Sequence, residues 1–248
     1  MDLELKQTFL NKWQKYFPGA DLPITFEYAE DDRGIPLINP ADETRCMIGV
    51  LQKARAGVPL RFNTHTFPCM GGKHYCGYSP RLRNGIEEFL SHDDHGEGER
   101  YKKTPQIATE AIKQSPELAA PKANLIFKRW DLLEARDNPV AVIFFAKADV
   151  LSGLFTLASF EVNEPHGVVV APFSAGCGSI VKYPALENEQ EKPRAVLGMF
   201  DVSARPYVPA DTLTFAVPMK KFAGMVLDMD ESFLITNSWD KVRARISA

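Results

Sequence analysis

Residues 139–146, PVAVIFFA, decide the fold of this 248-residue chain. Seven consecutive apolar residues follow Pro139. Because successive side chains of a strand point to opposite faces of a sheet, a strand of this composition is apolar on both faces. The run therefore predicts a central strand in a sheet that is covered on both sides.

The segments on either side of this run add further strands and helices in a mixed order. Apolar or alternating runs predict strands at 24–28, 60–62, 124–130, 167–171, 195–202 and 213–217. Helical spacing of apolar residues predicts helices at 2–16, 105–114 and 149–162. It predicts another helix that begins at the N-cap residue Asp42 and ends at Gly57. Further helices are predicted after Ser79, Pro218 and Ser238. This order predicts an α+β fold: one domain over residues 1–248, with a mixed β-sheet, packed helices and a peripheral N-terminal helix.

Composition and charge exclude several classes of partner. The chain carries 29 basic and 32 acidic residues, a net charge of -3, without a large block of one sign. Nucleic acid or an anionic membrane surface would require such a block, and no stretch reaches the roughly 20 apolar residues that span a bilayer. The N-terminal residues lack the apolar region of a secretory signal. We therefore expect a cytoplasmic protein that binds a small molecule, a metal or another protein, with no nucleic acid and no membrane as partner.

Thiols and glycines concentrate in residues 67–78, FPCMGGKHYCGY. The segment holds Cys69, Cys76 and His74, and its glycines are Gly71, Gly72 and Gly77. Glycine lets the backbone approach a ligand closely, so this composition suits a binding site better than a core.

A second glycine-rich segment, residues 171–180 (APFSAGCGSI), follows a predicted strand and leads into a predicted helix that Ser174 caps. It places Cys177 between Gly176 and Gly178. A strand, a glycine-rich turn and a helix in succession commonly form a functional site.

The order of these segments resembles the DUF169 (ArCR) family of uncharacterised bacterial and archaeal proteins. The resemblance is carried by residues 45–60 (RCMIGVLQKARAGVPL), by the two glycine-rich segments and by the tail from 218 to 246. It implies a single domain and supplies no activity. It also implies that Cys46, Cys69 and Cys177 stand at cysteine positions of the family, whereas Cys76 falls where another residue type is expected.

Three chemistries are open to these residues. In the first, Cys46, Cys69 and Cys177 bind one metal ion or iron–sulfur cluster, with Cys76 or His74 as an auxiliary ligand. Thiolates prefer zinc, copper(I) and iron–sulfur centres, and three ligands leave a coordination position open. The candidate cofactors are an iron–sulfur cluster and zinc. The spacing matches no standard zinc-finger or ferredoxin pattern, and cysteines also occur in ordinary cores.

The second chemistry is non-catalytic binding of a small anionic ligand by backbone amides at the start of a helix. The residues expected to contact such a ligand are Gly71, Gly72, Gly77, Gly176, Gly178, Ser179 and Arg55. Arg55 also complements the dipole at the end of its own predicted helix, which is a sufficient structural reason for its presence.

The third chemistry makes Cys177 a nucleophile or redox thiol, because a helix start lowers the pKa of a thiol. The base would be His74 or His166, and whether the protein is an enzyme stays open.

Two weaker expectations complete the sequence interpretation. Residues 92–95 (HDDH) are expected to form a solvated loop, and a homodimer is expected if the last helix keeps an exposed apolar face.

Overall fold

The structure is a computed structural model that describes residues 1–93 and 98–247. Seven strands lie within these residues: β1 (Ile24–Ala29), β2 (Leu60–Phe62), β3 (Asn124–Arg129), β4 (Ala141–Ala146), β5 (Val169–Val170), β6 (Ala195–Gly198) and β7 (Leu213–Pro218). They form one sheet in the order β2-β3-β1-β4-β7-β6-β5. The β5–β6 pair is parallel and the other pairs are antiparallel. The predicted mixed sheet and the central position of the apolar strand, β4, are therefore confirmed.

The α-helices of the described residues are α1 (Leu3–Tyr16), α2 (Met47–Arg55), α3 (Met70–Tyr75), α4 (Ile86–Ser91), α5 (Pro105–Gln114), α6 (Ala148–Ala158), α7 (Tyr183–Asn188), α8 (Met219–Asp228) and α9 (Asn237–Ile246). A π-helix, Gly178–Lys182, leads directly into α7. The predicted α+β fold class is thus confirmed. No helix in the described part of the chain has the length and apolar character needed to cross a membrane.

Two apolar cores lie on opposite faces of the sheet, as the composition of β4 requires. Ala141, Ile143 and Phe145 contribute to one core, and Val142 and Phe144 to the other. The first core contains residues of α2, α7 and the π-helix, whereas the second contains residues of α1, α6, α8 and α9. These two groups of helices therefore cover opposite faces of the sheet.

Helix α1 is not peripheral, contrary to the sequence expectation. Its Phe9 and Trp13 are buried, and their rings lie 6.2 and 5.1 Å from the ring of Phe144 in β4. On α9, Trp239 is likewise buried, and Val242 packs against the same core. The apolar stripes of both terminal helices thus cover the sheet.

The structure corrects three local predictions around the glycine-rich segments. Asp42 ends a 3-10 turn, and α2 begins only after Cys46. Residues 67–78, for which no helix was predicted, contain α3, although two of the six residues of that helix are glycines. Helical structure begins at residue 176, and the Ser174 hydroxyl does not cap it. Local propensity is a weak guide here, because packing between distant segments overrides it.

Candidate functional site

A cavity of about 600 Å³ lies on the face of the sheet that carries α2 and α3. Its lining includes the starts of α2 and α3, residues 173–177 and residues 200–204, and it also includes residues of α4 and α5. Helices α4 and α5 pack against each other. Because Cys46, Cys69 and Cys177 all line this space, we call it the thiol cavity.

Cys46 lies at the N-cap position of α2 and is partly buried. Burial raises the pKa of its thiol, and the backbone amides of Gly49 and Ile48 partly offset this rise. The charges of Cys69 and Asp201 raise the pKa further. Cys46 is therefore a neutral thiol at neutral pH, located where a helix start faces the cavity.

Cys69 occupies the corresponding position of α3. Its sulfur accepts a hydrogen bond from the Gly72 amide, 3.2 Å away. Both Gly71 and Gly72 line the thiol cavity. A methyl group on Gly72 would lie 3.1 Å from the Met47 side chain, a tight contact that Met47 would have to relieve by a small shift, so glycine favours the close packing of α3 against α2.

Cys177 is buried at the start of the π-helix. Burial raises the pKa of its thiol well above the ordinary value, and the charges of Cys69, Cys76 and Cys46 add to the rise. This effect agrees with Cys46, Cys69 and Cys76 lying near Cys177. The sequence could not establish such proximity, because these residues are far apart in the chain.

Neither predicted base contacts Cys177. Nδ1 of His74 lies 3.0 Å from the carbonyl oxygen of Ser79, and His166 is exposed. Burial lowers the pKa of His74. In the described residues, no histidine hydrogen bonds to the Cys177 thiol. The thiol thus lacks the neighbouring base that a nucleophilic cysteine requires.

Cys76 belongs to the core and does not line the cavity. It is fully buried, its sulfur lies 3.5 Å from the sulfur of Met47, and burial raises the pKa of its thiol well above the ordinary value. Within residues 1–93 and 98–247, no three His, Cys, Asp or Glu side chains are grouped so as to hold a metal ion. The thiols share a cavity, but in this arrangement they do not form a ligand set.

Most of the backbone amides expected to bind an anion already donate hydrogen bonds to groups of the protein. The Gly176 amide donates to the Asp201 carboxylate at 2.9 Å, and the amides of Gly178 and Ser179 donate to the carbonyl oxygen of Ala175. The Gly77 amide donates to the carbonyl oxygen of His74. Of Gly77, Gly176, Gly178 and Ser179, Gly176 lines the thiol cavity, as Gly71 and Gly72 do.

The cavity carries cationic and aromatic side chains that the sequence interpretation missed. Nζ of Lys102 lies 3.8 Å from the centre of the Phe173 ring, and the guanidinium of Arg83 lies 3.9 Å from the centre of the Phe89 ring. Arg45 lines the cavity as well. Phe173 is 65% exposed, which is unusual for so large an apolar side chain. Lys102 falls in a polar stretch with no local motif, so no sequence signal identified it.

Arg55 lies outside the thiol cavity, in a separate groove of about 620 Å³. Its guanidinium contacts the Asp21 carboxylate at 3.0 Å and lies over the Phe145 ring at 4.6 Å. Arg129 lines the same groove, and Tyr207 lines both the groove and the cavity. The structure therefore separates Arg55 from the glycine-rich segments with which the sequence interpretation grouped it as a ligand-binding residue.

The acidic and histidine-rich segment 92–95 is only partly described. Nδ1 of His92 lies 2.9 Å from the carboxylate of Glu88, one helical turn earlier. Asp94 and His95 lie outside the described residues.

Comparison with known proteins identifies one family. The model of DUF169, described as uncharacterised ArCR, matches residues 20–227. Searches of curated proteins and of solved structures find no match. The family resemblance seen in the sequence is therefore confirmed over most of the chain.

Proposed function

Because the chain belongs to the DUF169 family, whose description assigns no activity, we propose a function from the thiol cavity itself: the protein binds a small organic acid with an apolar body. One observation carries this proposal. Cys46, Cys69 and Cys177 come from three separate segments and line a single cavity of about 600 Å³. This volume lies within the range of about 300–1,000 Å³ that is typical of ligand sites.

The wall of the cavity suits the apolar part of such a ligand. Ile48 from α2, Ile86 and Phe89 from α4, and Ile112 from α5 all line it. The exposed ring of Phe173 also belongs to the lining. Burying a ligand of this kind removes apolar surface from water on both partners, which favours binding.

The cations of the cavity suit the acidic group. Arg45, Arg83 and Lys102 form no ion pair with any described carboxylate. Of the lining acids, Asp201 already accepts hydrogen bonds from the Gly176 amide and the Ser203 hydroxyl, and Glu99 is the other. A ligand carboxylate can therefore form charge-assisted hydrogen bonds with the basic side chains.

The thiols contribute polarizable apolar surface to this site. Burial raises the pKa of both Cys46 and Cys177, so both are neutral at neutral pH. A neutral thiol behaves as a small apolar group with a weak donor. Free thiols in the cavity agree with the reducing cytoplasm that the sequence predicts.

The homodimer stays a prediction, and light scattering of the purified protein would test it.

Anilinonaphthalene sulfonate, a fluorescent probe with an apolar body and one anionic group, tests the proposal. We expect saturable binding to the native protein at neutral pH. Phe173→Ala and Lys102→Met should each weaken binding at least about fivefold, a loss of about 1 kcal/mol. Phe155→Ala, which changes an exposed phenylalanine of α6, and Lys103→Met, which changes the neighbouring lysine outside the lining, are the matched controls.

Equal affinity in all four variants would contradict the assignment of the ligand to this cavity. Absence of saturable binding to the native protein would contradict the proposal as a whole. Thermal unfolding of each variant, measured in parallel, excludes partial unfolding as the cause of a change in fluorescence.

A second candidate is a metal ion or iron–sulfur cluster bound by Cys46, Cys69 and Cys177. The observation that favours it is that these three thiols line the same cavity. In addition, Cys69 raises the pKa of Cys46, and Cys46 and Cys69 both raise the pKa of Cys177. Because the described donors are not grouped as ligands, at least one thiol would have to move on binding.

Purification without oxygen, followed by metal analysis and a visible spectrum, tests this candidate. If the candidate is correct, the native protein contains stoichiometric metal, and Cys46→Ser and Cys69→Ser lose it. Cys76→Ala should retain the metal, because Cys76 does not line the cavity. A protein free of metal and without absorbance above 300 nm, a range in which iron–sulfur clusters absorb, would contradict it.

A further inference from the structure

Lys182 is a buried cation without a carboxylate partner in the described residues. It ends the π-helix and is 3% exposed. Its Nζ donates a hydrogen bond to the Ser115 hydroxyl at 2.8 Å. Lys128 is buried to a similar degree, at 5% exposed, yet it pairs with both carboxylate oxygens of Asp137 at 2.8 and 2.9 Å. Charged groups buried this deeply are usually paired, as Lys128 is, so the environment of Lys182 is distinctive.

The serine connects this lysine to the thiol cavity. Ser115, the C-cap residue of α5, lines the cavity, and so does Tyr75 of α3. Nζ of Lys182 lies 5.5 Å from the centre of the Tyr75 ring and 5.8 Å from that of Tyr183. Lys182 itself is not a lining residue, so its contact with the cavity runs through Ser115.

Burial lowers the pKa of Lys182, and the charge of Glu117 offsets part of this change. A lowered pKa increases the fraction of neutral amine, which can accept a proton. A serine hydroxyl within hydrogen-bonding distance of such an amine is the arrangement of nucleophile and base found in serine–lysine hydrolases. π-Helical turns are also frequent at functional sites.

We infer that Ser115 and Lys182 form a catalytic dyad that hydrolyses carboxylic esters bound in the thiol cavity, with Ser115 as nucleophile and Lys182 as general base. The inference rests on the proposed function, because the ester occupies the same cavity. The acid product is an organic anion with an apolar body, the class of ligand proposed above.

The reaction has two steps. In the first, the Ser115 hydroxyl loses its proton to neutral Lys182 while Oγ bonds to the carbonyl carbon of the ester. The bond from that carbon to the alcohol oxygen then breaks, and the proton on Lys182 passes to the leaving alcohol. In the second, Lys182 takes a proton from water, the resulting hydroxide attacks the acyl carbon, and Oγ leaves with the proton from Lys182. The products are one alcohol and one carboxylic acid, and both residues are restored.

An alkyl fluorophosphonate tests the dyad directly. Oγ of the serine attacks phosphorus, the P–F bond breaks, fluoride leaves and Lys182 takes the proton. We expect mass spectrometry of the native full-length protein to find the adduct on Ser115, and expect hydrolysis of p-nitrophenyl butyrate. Both should be absent in Ser115→Ala. In Lys182→Met, both rates should fall at least about 100-fold, the usual contribution of a general base.

Ser159→Ala is the matched control, because Ser159 is the C-cap residue of α6 and its hydroxyl donates to a backbone carbonyl instead of facing a lysine. The labelling rate should rise with pH, with an inflection below the ordinary lysine pKa of about 10.4. The titratable groups facing Lys182 are His74 and Tyr75 on α3, Tyr183 on α7 and Glu117 after α5.

Saturable binding of anilinonaphthalene sulfonate separates the failure of this inference from that of the proposed function. If native protein and Ser115→Ala bind the probe equally and Ser115 is never labelled, the dyad is wrong and the binding proposal stands. Equal labelling rates in the native protein and in a folded Lys182→Met would also overturn the dyad. If neither labelling nor probe binding occurs, both proposals are wrong.

Discussion

The Cys69 thiol accepts a hydrogen bond from the Gly72 amide, 3.2 Å away, and so caps the helix that begins at Met70. A residue singled out by sequence for metal or ligand chemistry therefore also has a structural role. Variants can separate the two roles, because another acceptor can replace sulfur in the cap but not as a soft metal ligand.

Cys69→Ser should keep the stability of the protein, whereas Cys69→Ala should lower the free energy of unfolding by up to about 1 kcal/mol. Serine is among the preferred N-cap residues, and alanine offers no acceptor. Urea denaturation of both variants measures the difference. A larger loss in Cys69→Ser than in Cys69→Ala would show that packing of the sulfur outweighs its role as a cap.

Substitution of two glycines in the same segment by alanine should have different effects on the stability of the protein. Gly71→Ala should leave stability unchanged or raise it by up to about 1 kcal/mol, because a methyl group there meets no atom within 4 Å and alanine favours a helix. Gly77→Ala should lower stability by more than about 1 kcal/mol, because Gly77 has a φ of 87° and the methyl group would lie 2.5 Å from the Ala120 nitrogen. Thermal unfolding of the pair is the measurement. Equal melting temperatures would contradict the described path of the chain after α3.

The four thiols should differ in reactivity. Native protein treated with iodoacetamide at neutral pH should be modified at Cys46 and Cys69, which are partly exposed, and should remain unmodified at Cys76 and Cys177. Burial raises the pKa of the latter two thiols well above the ordinary value, so little thiolate is present. Peptide mass spectrometry measures the modification, and the denatured protein, with all four modified, is the control. If Cys177 were modified at the same rate as Cys46, its burial would be contradicted, and it would again be a candidate nucleophile.

Asp230 should contribute stability that disappears in acid. Hydrogen bonds from Tyr16, Lys15 and Lys12 hold the pKa of its carboxyl well below the ordinary value. A carboxyl whose pKa is lower in the folded state stabilises above its unfolded pKa of about 3.9, and this contribution falls as the pH drops below that value. Because the side chain is partly exposed, the contribution is only about 1 kcal/mol.

Asp230→Asn should therefore lower the melting temperature at pH 7, and the difference from the native protein should shrink as the pH falls below about 4. Asp211→Asn is a suitable comparison. The pKa of Asp211 is also lowered, mainly by its hydrogen bond from Lys147, but Asp211 is exposed to solvent. A constant difference from pH 7 to acid would show that lost packing, not charge, explains the Asp230 variant.

Much of the sheet could be predicted from sequence, whereas the boundaries near the cavity could not. The bounds of β2 and α5 agree with prediction at both ends. The predicted start of α2, just after Asp42, was wrong. Asp42 is a good N-cap residue, but the chain uses it in a 3-10 turn instead. Helix α3 was missed because Gly71 and Gly72 disfavour helix locally, while packing against Met47 supports it.

The sequence by itself predicted the layered α+β fold, because a run of seven apolar residues at 140–146, rich in β-branched and aromatic side chains, is typical of a central strand covered on both faces. It also singled out Cys46, Cys69 and Cys177 through two glycine-rich segments and a family resemblance. Only the tertiary structure decided that these thiols line one cavity, that Arg55 lies in another groove, and that Lys182 meets Ser115 across 67 residues of chain. Burial and hydrogen bonding between distant segments depend on how the helices pack, and no local pattern of residues encodes that packing.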